Sequence, residues 1–313
     1  MSSMTYRSPL LDLPGSVAAE APDTWVAAHY GSFNVEQRQL VADEGFVDLS
    51  HRPVLRISGP DRLTWLHSLT SQWFEAIPAG RYTQALILSP QGHVEHYFAG
   101  VDDGEAFIAH TEPGGLEPLV TWLNQMKFMT RVEVTDAGDD FALVWRRGEH
   151  HFIPRTGLRD FADVAGVPCG LWAYEALRIA AGNPRMGLDT DHRSIPNEMG
   201  WLGSAVHLEK GCYRGQETVA RVHTLGRPPR RLTLLHFDGS ENRMPDVGAE
   251  IHLEGRVVGR MGTSARHFEL GPIGLALVKR SVPLDATLMV DGLVATQEVV
   301  VDPEIGLHVR ARL

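Results

Sequence analysis

The residue types best suited to chemistry lie together in one eight-residue segment. They are Lys210, Gly211, Cys212, Tyr213, Arg214, Gly215, Gln216 and Glu217. The pattern from Gln216 to Val222 predicts a helix, so Cys212 is expected just before a helix N-terminus. Cationic neighbours and a helix N-terminus both stabilise thiolate over thiol, and thiolate is the form that attacks electrophiles or binds soft metals. The segment therefore predicts a reactive cysteine, and the alternative is a small, buried, inert thiol.

The stretch around this cysteine is locally basic, although the chain as a whole is acidic. Its positive residues are Lys210, Arg214, Arg221, Arg227, Arg230 and Arg231. A phosphate, a polyglutamate tail or an RNA backbone would suit such a charge, and a solvated surface is the other interpretation. Because no aromatic residues are interleaved, a small anion or a solvated surface is favoured over nucleic acid. Gly211 and Gly215 are expected to let the backbone approach its neighbours closely.

A second group of candidate residues is acidic and lies before the cysteine segment. Asp189, Asp191 and Glu198 are close together in the chain. A carboxylate can accept two hydrogen bonds from an aminopyrimidine edge, as it does from the amino groups of bases. A pterin ring presents that edge, so Glu198 is a candidate pterin anchor. For Asp189 and Asp191 the favoured interpretation is the capping of turns.

A self-contained metal site is not expected. His93 and His96 would point to opposite faces of a strand and could not share an ion. The same argument separates His150 from His151. Two cysteines cannot supply a four-cysteine zinc or iron–sulfur site within one chain. Phosphate-binding loops, dinucleotide-binding glycine patterns and the serine hydrolase elbow are also missing, which disfavours those enzyme classes.

Composition restricts the class of protein. The chain has 313 residues, is 43% hydrophobic and carries a formal charge of -10 from 29 Lys and Arg against 39 Asp and Glu. These values predict two or three globular domains and disfavour general binding to nucleic acid. No secretion signal and no membrane-spanning run are expected. Cys169 and Cys212 have no secretory context, so a reduced, cytoplasmic location is predicted.

The elements that must position these residues are predicted to be of α+β type. Strands are expected at Val54–Ile57, Tyr82–Leu88 and His93–Phe98, the last two forming a hairpin through Ser89-Pro90-Gln91-Gly92. Helices are expected from Leu63 toward Trp73, at Leu116–Phe128 and at Trp172–Ala181. After Arg231 only short strands separated by turns are visible, which predicts a small β-barrel or sandwich.

The segment Lys-Gly-Cys-Tyr-x-Gly-Gln-Glu, followed by Arg221, resembles the signature of the YgfZ family, whose members are related to the aminomethyltransferase (T-protein) of the glycine cleavage system. Weaker agreement comes from Asp48-Leu49-Ser50-His51 and Gly274-Leu275-Ala276-Leu277-Val278. The resemblance covers about residues 41–313. It implies an N-terminal extension at 1–40, T-protein-like folate-binding lobes at 41–227 and a C-terminal β-barrel at 228–313.

The resemblance also implies a function. Tetrahydrofolate would be the ligand, and the activity would be support of iron–sulfur cluster assembly or repair, with a link to tRNA thiolation-type modification and with client or assembly proteins as partners. Cys212 and Lys210 would be the catalytic residues, and Glu198 would bind the cofactor. The supporting motif residues would be Gly211, Tyr213, Gly215, Gln216, Glu217 and Arg221.

The alternative within the same fold is a folate-dependent aminomethyltransferase. T-proteins carry an aspartate where this chain has Cys212. They also carry a paired Asp-Asp after the glycine turn, whereas here Gly92-His93-Val94-Glu95 is followed by His96 and Tyr97. Without that carboxylate, methylene transfer loses its charge stabilisation. Glu198, in contrast, matches the T-protein pterin glutamate. The resemblance therefore implies that pterin binding survives while transfer chemistry is lost. A third and weaker hypothesis is an RNA-contacting module that uses the arginines of the basic stretch.

Overall fold

The computed structural model describes residues 6–224, 226–239, 241 and 243–304. The helices are α1 Phe33–Val41, α2 Arg62–Leu69, α3 Leu116–Gln125, α4 Leu158–Ala165, α5 Leu171–Ala180 and α6 Gln216–Thr224. The first strands are β1 Val17–Ala18, β2 Ala27–His29, β3 Gly45–Asp48, β4 Val54–Ser58, β5 Thr83–Leu88, β6 Val94–Asp102, β7 Ala106–His110, β8 Glu133–Asp136, β9 Phe141–Arg146, β10 Glu149–Pro154 and β11 Val167–Cys169. The remaining strands are β12 Arg230–Phe237, β13 Glu250–Leu253, β14 Arg256–His267, β15 Gly271–Lys279, β16 Leu288–Val290 and β17 Leu293–Val299. None of the described helices has the length and apolar character needed to cross a membrane.

The chain divides into two compact units that are discontinuous in sequence. Unit 1 comprises the described residues of Met1–Leu66, Phe74–Gln84 and Phe98–Glu175. Unit 2 comprises those of His67–Trp73, Ala85–Tyr97 and Ala176–Leu313. This division has no boundary at residue 40 or 227, so the three-part organisation drawn from the sequence stays a prediction.

Unit 1 is built on antiparallel sheet. One sheet has the strand order β10-β9-β3-β11, in which only β3 and β11 are parallel. A second sheet has the order β5-β6-β7-β4-β8, and its strands β7, β4 and β8 lie in this unit. Leu10 is fully buried in a cluster with Phe46 and Leu158. The described part of the first forty residues therefore contributes to the core of this unit.

Unit 2 contains a closed barrel with the strand order β12-β15-β14-β13-β16-β17. Successive residues of β12 point to opposite faces, and both faces are buried. Leu235 and Phe237 belong to a cluster to which all six barrel strands contribute, whereas Leu232 and Leu234 pack with Ile179 of α5 and other apolar residues. Burial on both sides explains why this strand reads as a nearly continuous apolar run.

One buried ionic network ties the barrel to the loop after α5. Oδ1 of Asp189 accepts from the backbone N–H of Thr263 at 2.6 Å and from its hydroxyl at 2.8 Å. Oδ2 accepts from the backbone of Arg185 at 2.8 Å and from the guanidinium of Arg178 at 3.1 Å. Asp189 thus caps its own loop, as the sequence suggests, and also bonds barrel strand β14. A side chain at Gly262 would collide with its carboxylate.

The α+β prediction with a C-terminal β-barrel is confirmed. The hairpin through Ser89–Gly92 and the strands after Arg231 are present, and α3 and α5 end three and one residues earlier than predicted. The predicted helix from Leu63 toward Trp73 ends at Leu69. Strands β9 and β10 and helix α1 were not predicted, because their patterns do not separate from the surrounding sequence.

Replacing Asp189 with Ala is expected to destabilise the protein strongly. The side chains of Asp189 and Arg178 are 0% and 5% exposed, so the change leaves a buried cation without its carboxylate. Breaking a buried pair in this way costs about 3–5 kcal/mol of unfolding free energy. Urea unfolding followed by tryptophan fluorescence measures the loss.

The matched control is Asp285→Ala, at an exposed turn of the barrel. It is expected to change the unfolding free energy by less than about 0.5 kcal/mol. Equal unfolding curves for the two variants would contradict the structural role of Asp189.

Candidate functional site

The cysteine segment forms a small closed loop in front of α6. Gln216, the first residue of α6, donates its backbone N–H to the carbonyl of Tyr213 at 3.1 Å. Its side-chain amide donates to the carbonyl of Lys210, also at 3.1 Å. The helix begins at the predicted residue, and Cys212 lies in the loop before it, exposed to solvent. The alternative of a buried cysteine is therefore wrong for Cys212.

Cys169 has the opposite environment. It is 1% exposed, and its thiol lies 3.5 Å from the carbonyl oxygen of Glu36. Burial, with the charge of Glu36 adding to it, raises the pKa of the Cys169 thiol to about 12. A protonated, enclosed thiol is inert, so Cys212 is the cysteine of this chain that can react with a molecule from solvent.

Lys210 lies inside the loop and not on its surface. The residue is 3% exposed, and its ammonium nitrogen is 5.1 Å from the centre of the Tyr213 ring. This is within the range of a cation–π interaction. Burial raises the pKa of the Tyr213 hydroxyl to about 12, so Tyr213 serves as a neutral ring. Lys210 and Tyr213 thus form the enclosed side of the loop, whereas Cys212 is exposed to solvent.

Glycines account for the contact between the loop and the β5–β6 turn. Gly215 has φ +81°, and a Cβ there would lie 2.5 Å from the carbonyl oxygen of Ser89 and 3.0 Å from the Cα of Gly92. Gly92 has φ +83°, and its Cβ would lie 2.7 Å from the Cβ of Thr218. At Gly211 a Cβ would meet nothing within 4 Å. The predicted close approach is present at Gly215 and absent at Gly211.

A salt bridge joins the loop to the same hairpin. Nη1 of Arg214 lies 3.0 Å from Oε2 of Glu95, which is on β6 just beyond the turn. Both side chains are about one-third exposed, at 37% and 36%. The neighbouring His96 is partly buried, and that burial, followed by the charge of Arg214, lowers its pKa. His96 is therefore neutral at physiological pH.

Four arginines of the basic stretch are paired with carboxylates of the same unit. The pairs are Arg214 with Glu95, Arg221 with Glu217, Arg227 with Glu304, and Arg230 with Asp191 and Glu198. Arg231 is fully buried and donates to the carbonyl of Val282 and the amide oxygen of Gln297. The anion-binding surface that the sequence suggested is therefore not formed by these residues, and the same pairing weakens the RNA hypothesis.

Glu198 is buried in an ion pair. It is 0% exposed, its Oε1 accepts from Nε of Arg230 at 2.9 Å, and its Oε2 accepts from Nη2 at 2.8 Å. Nη1 of Arg230 bonds Asp191 at 2.5 Å. Partial burial alone would raise the pKa of Asp191, but the hydrogen bonds and charge of Arg230 hold it well below its usual range. The carboxylate predicted to anchor a pterin is thus already bonded to a guanidinium.

A donor-rich ring edge nevertheless fits this position. Oε2 of Glu198 accepts a second bond, from the backbone of Ile195 at 3.3 Å, which leaves one acceptor direction on Oε1. The amide oxygen of the preceding residue, Asn197, is buried and has no hydrogen-bond donor among the parts of the chain that the structure describes. An aminopyrimidine edge presents N–H donors to such acceptors. Two bonds to Glu198 itself would require Arg230 to move.

The predicted residues lie in one unit and are connected through the hairpin. Val94, beside Glu95, donates its backbone N–H to the carbonyl of Ser194 at 2.9 Å, in the segment that leads to Glu198. The amide of Asn197 donates to the carbonyl of Val219 in α6 at 3.4 Å. Helix α6 and the 3₁₀ turn Pro196–Glu198 are therefore in contact.

Two residues that contribute to the site could not be identified from the sequence. Arg230 was visible only as one of several basic residues, although it bonds both Asp191 and Glu198. Glu95 was noted only as a departure from the T-protein pattern. Both act through partners far away in the chain, which local patterns do not reveal.

The histidines do not build a metal site in the described ranges. No group of three or more His, Cys, Asp or Glu side chains there could hold a metal ion. His150 instead stacks on Tyr82 with ring centres 5.0 Å apart and lies 3.1 Å from the hydroxyl of Tyr174. Burial, with Arg52 and His151 adding to it, lowers the pKa of His150 to about 3. This cluster in unit 1 is therefore neutral.

Comparison with known proteins gives relatives of two kinds. No family profile matches the chain. A chloroplastic protein of Arabidopsis thaliana, named as a transferase, is 25% identical over 77% of this chain and 68% of its own. The aminomethyltransferase of Rippkaea orientalis is 23% identical over 90% of this chain and 91% of its own. A mitochondrial iron–sulfur cluster assembly factor, the IBA57 homologue of Mycosarcoma maydis, is 24% identical over 60% and 56%.

Among solved structures, the glycine cleavage system aminomethyltransferase T of Bartonella henselae superposes with a TM-score of 0.77. The match covers 96% of this chain and 98% of that one, at 15% identity. The chain has the aminomethyltransferase fold. Within that fold, unit 2 carries the exposed Cys212, the closed loop around it and the buried Glu198–Arg230 pair.

Alanine at Gly215 is expected to disrupt the site, whereas alanine at Gly211 is not. The Gly215→Ala side chain would require a left-handed backbone and would collide with Ser89, at a cost of about 1–3 kcal/mol. Thermal unfolding should show a midpoint several degrees below that of the wild-type protein.

Gly211→Ala, in the same loop, meets open space and a backbone that alanine can adopt. Its midpoint should stay within about one degree of wild type. If the two variants unfold at the same temperature, the close contact between loop and turn does not support the site.

Proposed function

We propose that this chain is a YgfZ-type, tetrahydrofolate-binding protein that supports the assembly or repair of iron–sulfur proteins, with Cys212 as its functional thiol. The observation that carries the proposal is the environment of that thiol. Cys212 is the exposed cysteine. Its loop is closed by the hydrogen bond from Gln216 to Lys210 and is supported by the contact between Lys210 and the ring of Tyr213. The structure thus presents a thiol where T-proteins, by resemblance, carry an aspartate.

The relatives support the two parts of the proposal separately. Similarity to the IBA57 homologue, an iron–sulfur cluster assembly factor, supports the role in cluster maintenance. Similarity to aminomethyltransferases, in sequence and in fold, supports a folate ligand. In this proposal the protein works in the cytoplasm with iron–sulfur client or assembly proteins as partners, and its effect on those clients extends to tRNA thiolation-type modification.

Tetrahydrofolate would be held by the acceptors near Glu198. The carboxylate of Glu198 and the buried amide oxygen of Asn197 suit the N–H donors of a pterin edge. Arg230 orients Glu198 through two parallel hydrogen bonds to its carboxylate. When bound, tetrahydrofolate supplies a carrier for one-carbon groups.

Cys212 is proposed to act either as a nucleophile or as a transient ligand to a cluster. Both roles need an accessible thiol that can become thiolate, and its exposure meets the first requirement. Lys210 contributes by supporting the loop through the ring of Tyr213, because its side chain is enclosed.

A folate-dependent aminomethyltransferase is the second candidate. It is favoured by the relative from Rippkaea orientalis, which matches this chain over 91% of its own length. Against it stand Cys212 in place of an aspartate and the missing Asp-Asp pair after the glycine turn, where Glu95 is followed by His96 and Tyr97. Release of 5,10-methylenetetrahydrofolate from an aminomethyl donor would establish this activity in place of the first proposal.

Cys212→Ser is expected to abolish the cellular function while leaving the fold intact. The substitution removes the soft nucleophile but keeps the size and exposure of the side chain. In cells that lack their own copy of the gene, the activity of a [4Fe–4S] dehydratase should be restored by the wild-type protein and not by the variant. A dehydrogenase without a cluster serves as the reference activity.

Cys169→Ser is the matched control, because Cys169 is buried and cannot meet a client. It should restore the dehydratase as the wild-type protein does. Full activity with Cys212→Ser would refute the proposed role of the thiol.

A further inference from the structure

The loop that carries Cys212 has no regular secondary structure of its own. It contacts α6, which follows it, and the turn and first residues of the β5–β6 hairpin, and its Tyr213 packs against the apolar cluster of unit 2. Gln216 closes the loop on the helix side. On the hairpin side the contacts are the packing of Gly92 on Gly215 and the ion pair between Glu95 and Arg214.

The hairpin is a firm support for such a contact. Its turn is closed by the backbone bonds from Ser89 to His93 at 2.8 Å and from Gly92 to Ser89 at 2.9 Å. Val94 is 4% exposed, packs in the apolar cluster of unit 2 and bonds Ser194. The backbone that leads into Glu95 is therefore held by hydrogen bonds and packing, while the carboxylate of Glu95 projects to partly exposed surface.

Glu95 meets Arg214, which lies two residues after Cys212. His96 is the neighbouring titratable group, and burial, followed by the charge of Arg214, lowers its pKa. An ion pair that is one-third exposed contributes little to global stability. It can still restrict the orientation of the loop, because Arg214 lies two residues from Cys212 and Glu95 lies on strand β6.

We propose that Glu95 is a positioning residue for Cys212, and that it acts through Arg214 to hold the thiol in one orientation above α6. This inference rests on the proposed role of Cys212 as the functional thiol. Glu95 itself touches no reacting group; its effect is transmitted through the salt bridge to the loop.

The test is a nitroxide spin label attached to Cys212 in the otherwise native protein. Cys169 is buried, so the label reports the loop alone. Glu95→Gln should increase the ratio of the mobile to the immobile spectral component by about two- to fivefold, the effect of losing an exposed ion pair. The melting temperature should barely change, which separates positioning from a general loss of structure.

The matched control is Glu304→Gln. It breaks the pair between Arg227 and Glu304, which has a similar distance of 3.1 Å and a similar Arg exposure of 37%. This variant should leave the spectrum of the label unchanged. A mobile spectrum here would show that the label responds to any lost surface pair, and the proposal would fail.

A double-mutant cycle tests the route through Arg214. Arg214→Gln alone should mobilise the label, and adding Glu95→Gln to it should have no further effect. An exchange of the two charges, Glu95→Arg with Arg214→Glu, should restore the immobile spectrum. The inference is overturned if Glu95→Gln gives the wild-type spectrum, or if its effect persists undiminished without Arg214.

The cellular assay separates this inference from the proposed function. Reduced dehydratase activity with Glu95→Gln, restored by the charge exchange, would link the position of the thiol to its role. If Cys212→Ser keeps full activity, the proposed function fails, whatever the spectra show. If Cys212→Ser is inactive but Glu95→Gln has the wild-type spectrum, the positioning inference alone fails.

Discussion

The close packing of Gly215 against the β5–β6 turn is the constraint on which the site depends. With side chains at Gly215 or Gly92 the two backbones could not meet, since a Cβ on Gly215 would lie 2.5 Å from the carbonyl of Ser89. This contact brings the residue before α6 against a rigid hairpin. The thiol of Cys212 is consequently exposed on a loop that is held by contacts with both α6 and the hairpin. Gly211, which has open space around it, has no such role.

Electrostatics complements this packing. The arginines around the cysteine give the sequence a basic appearance, but three of them are paired with carboxylates from other parts of unit 2, and Arg221 is paired with Glu217 on its own helix. Because these arginines form ion pairs, they connect the loop, the hairpin and the barrel instead of forming a surface for anions. Arg230 is the central example, because it bonds both Asp191 and Glu198 and so fixes the orientation of the buried Glu198 carboxylate. That arrangement suits a small ligand with N–H donors better than a nucleic acid backbone.

The sequence patterns predicted the elements that are marked by local periodicity. They did not predict the features that depend on contacts between residues distant in the chain. Helix α6 begins at the predicted Gln216, and the barrel strands were recognisable from alternation and turns. The core role of Leu10 was not foreseen, because its partners are distant in the chain. For the same reason the motif identified Cys212 but not its exposure, and Glu198 but not its bond to Arg230, which lies 32 residues away.

We propose that the aminomethyltransferase fold has kept a folate site at Glu198 while the function passed to Cys212. Calorimetric titration of tetrahydrofolate into the wild-type protein and into Glu198→Gln tests this most directly, with circular dichroism confirming that both are folded. We predict saturable binding to the wild-type protein and at least about tenfold weaker binding to the variant, since a hydrogen bond to a charged group is lost. No binding to the wild-type protein, or equal affinity for both, would contradict the account.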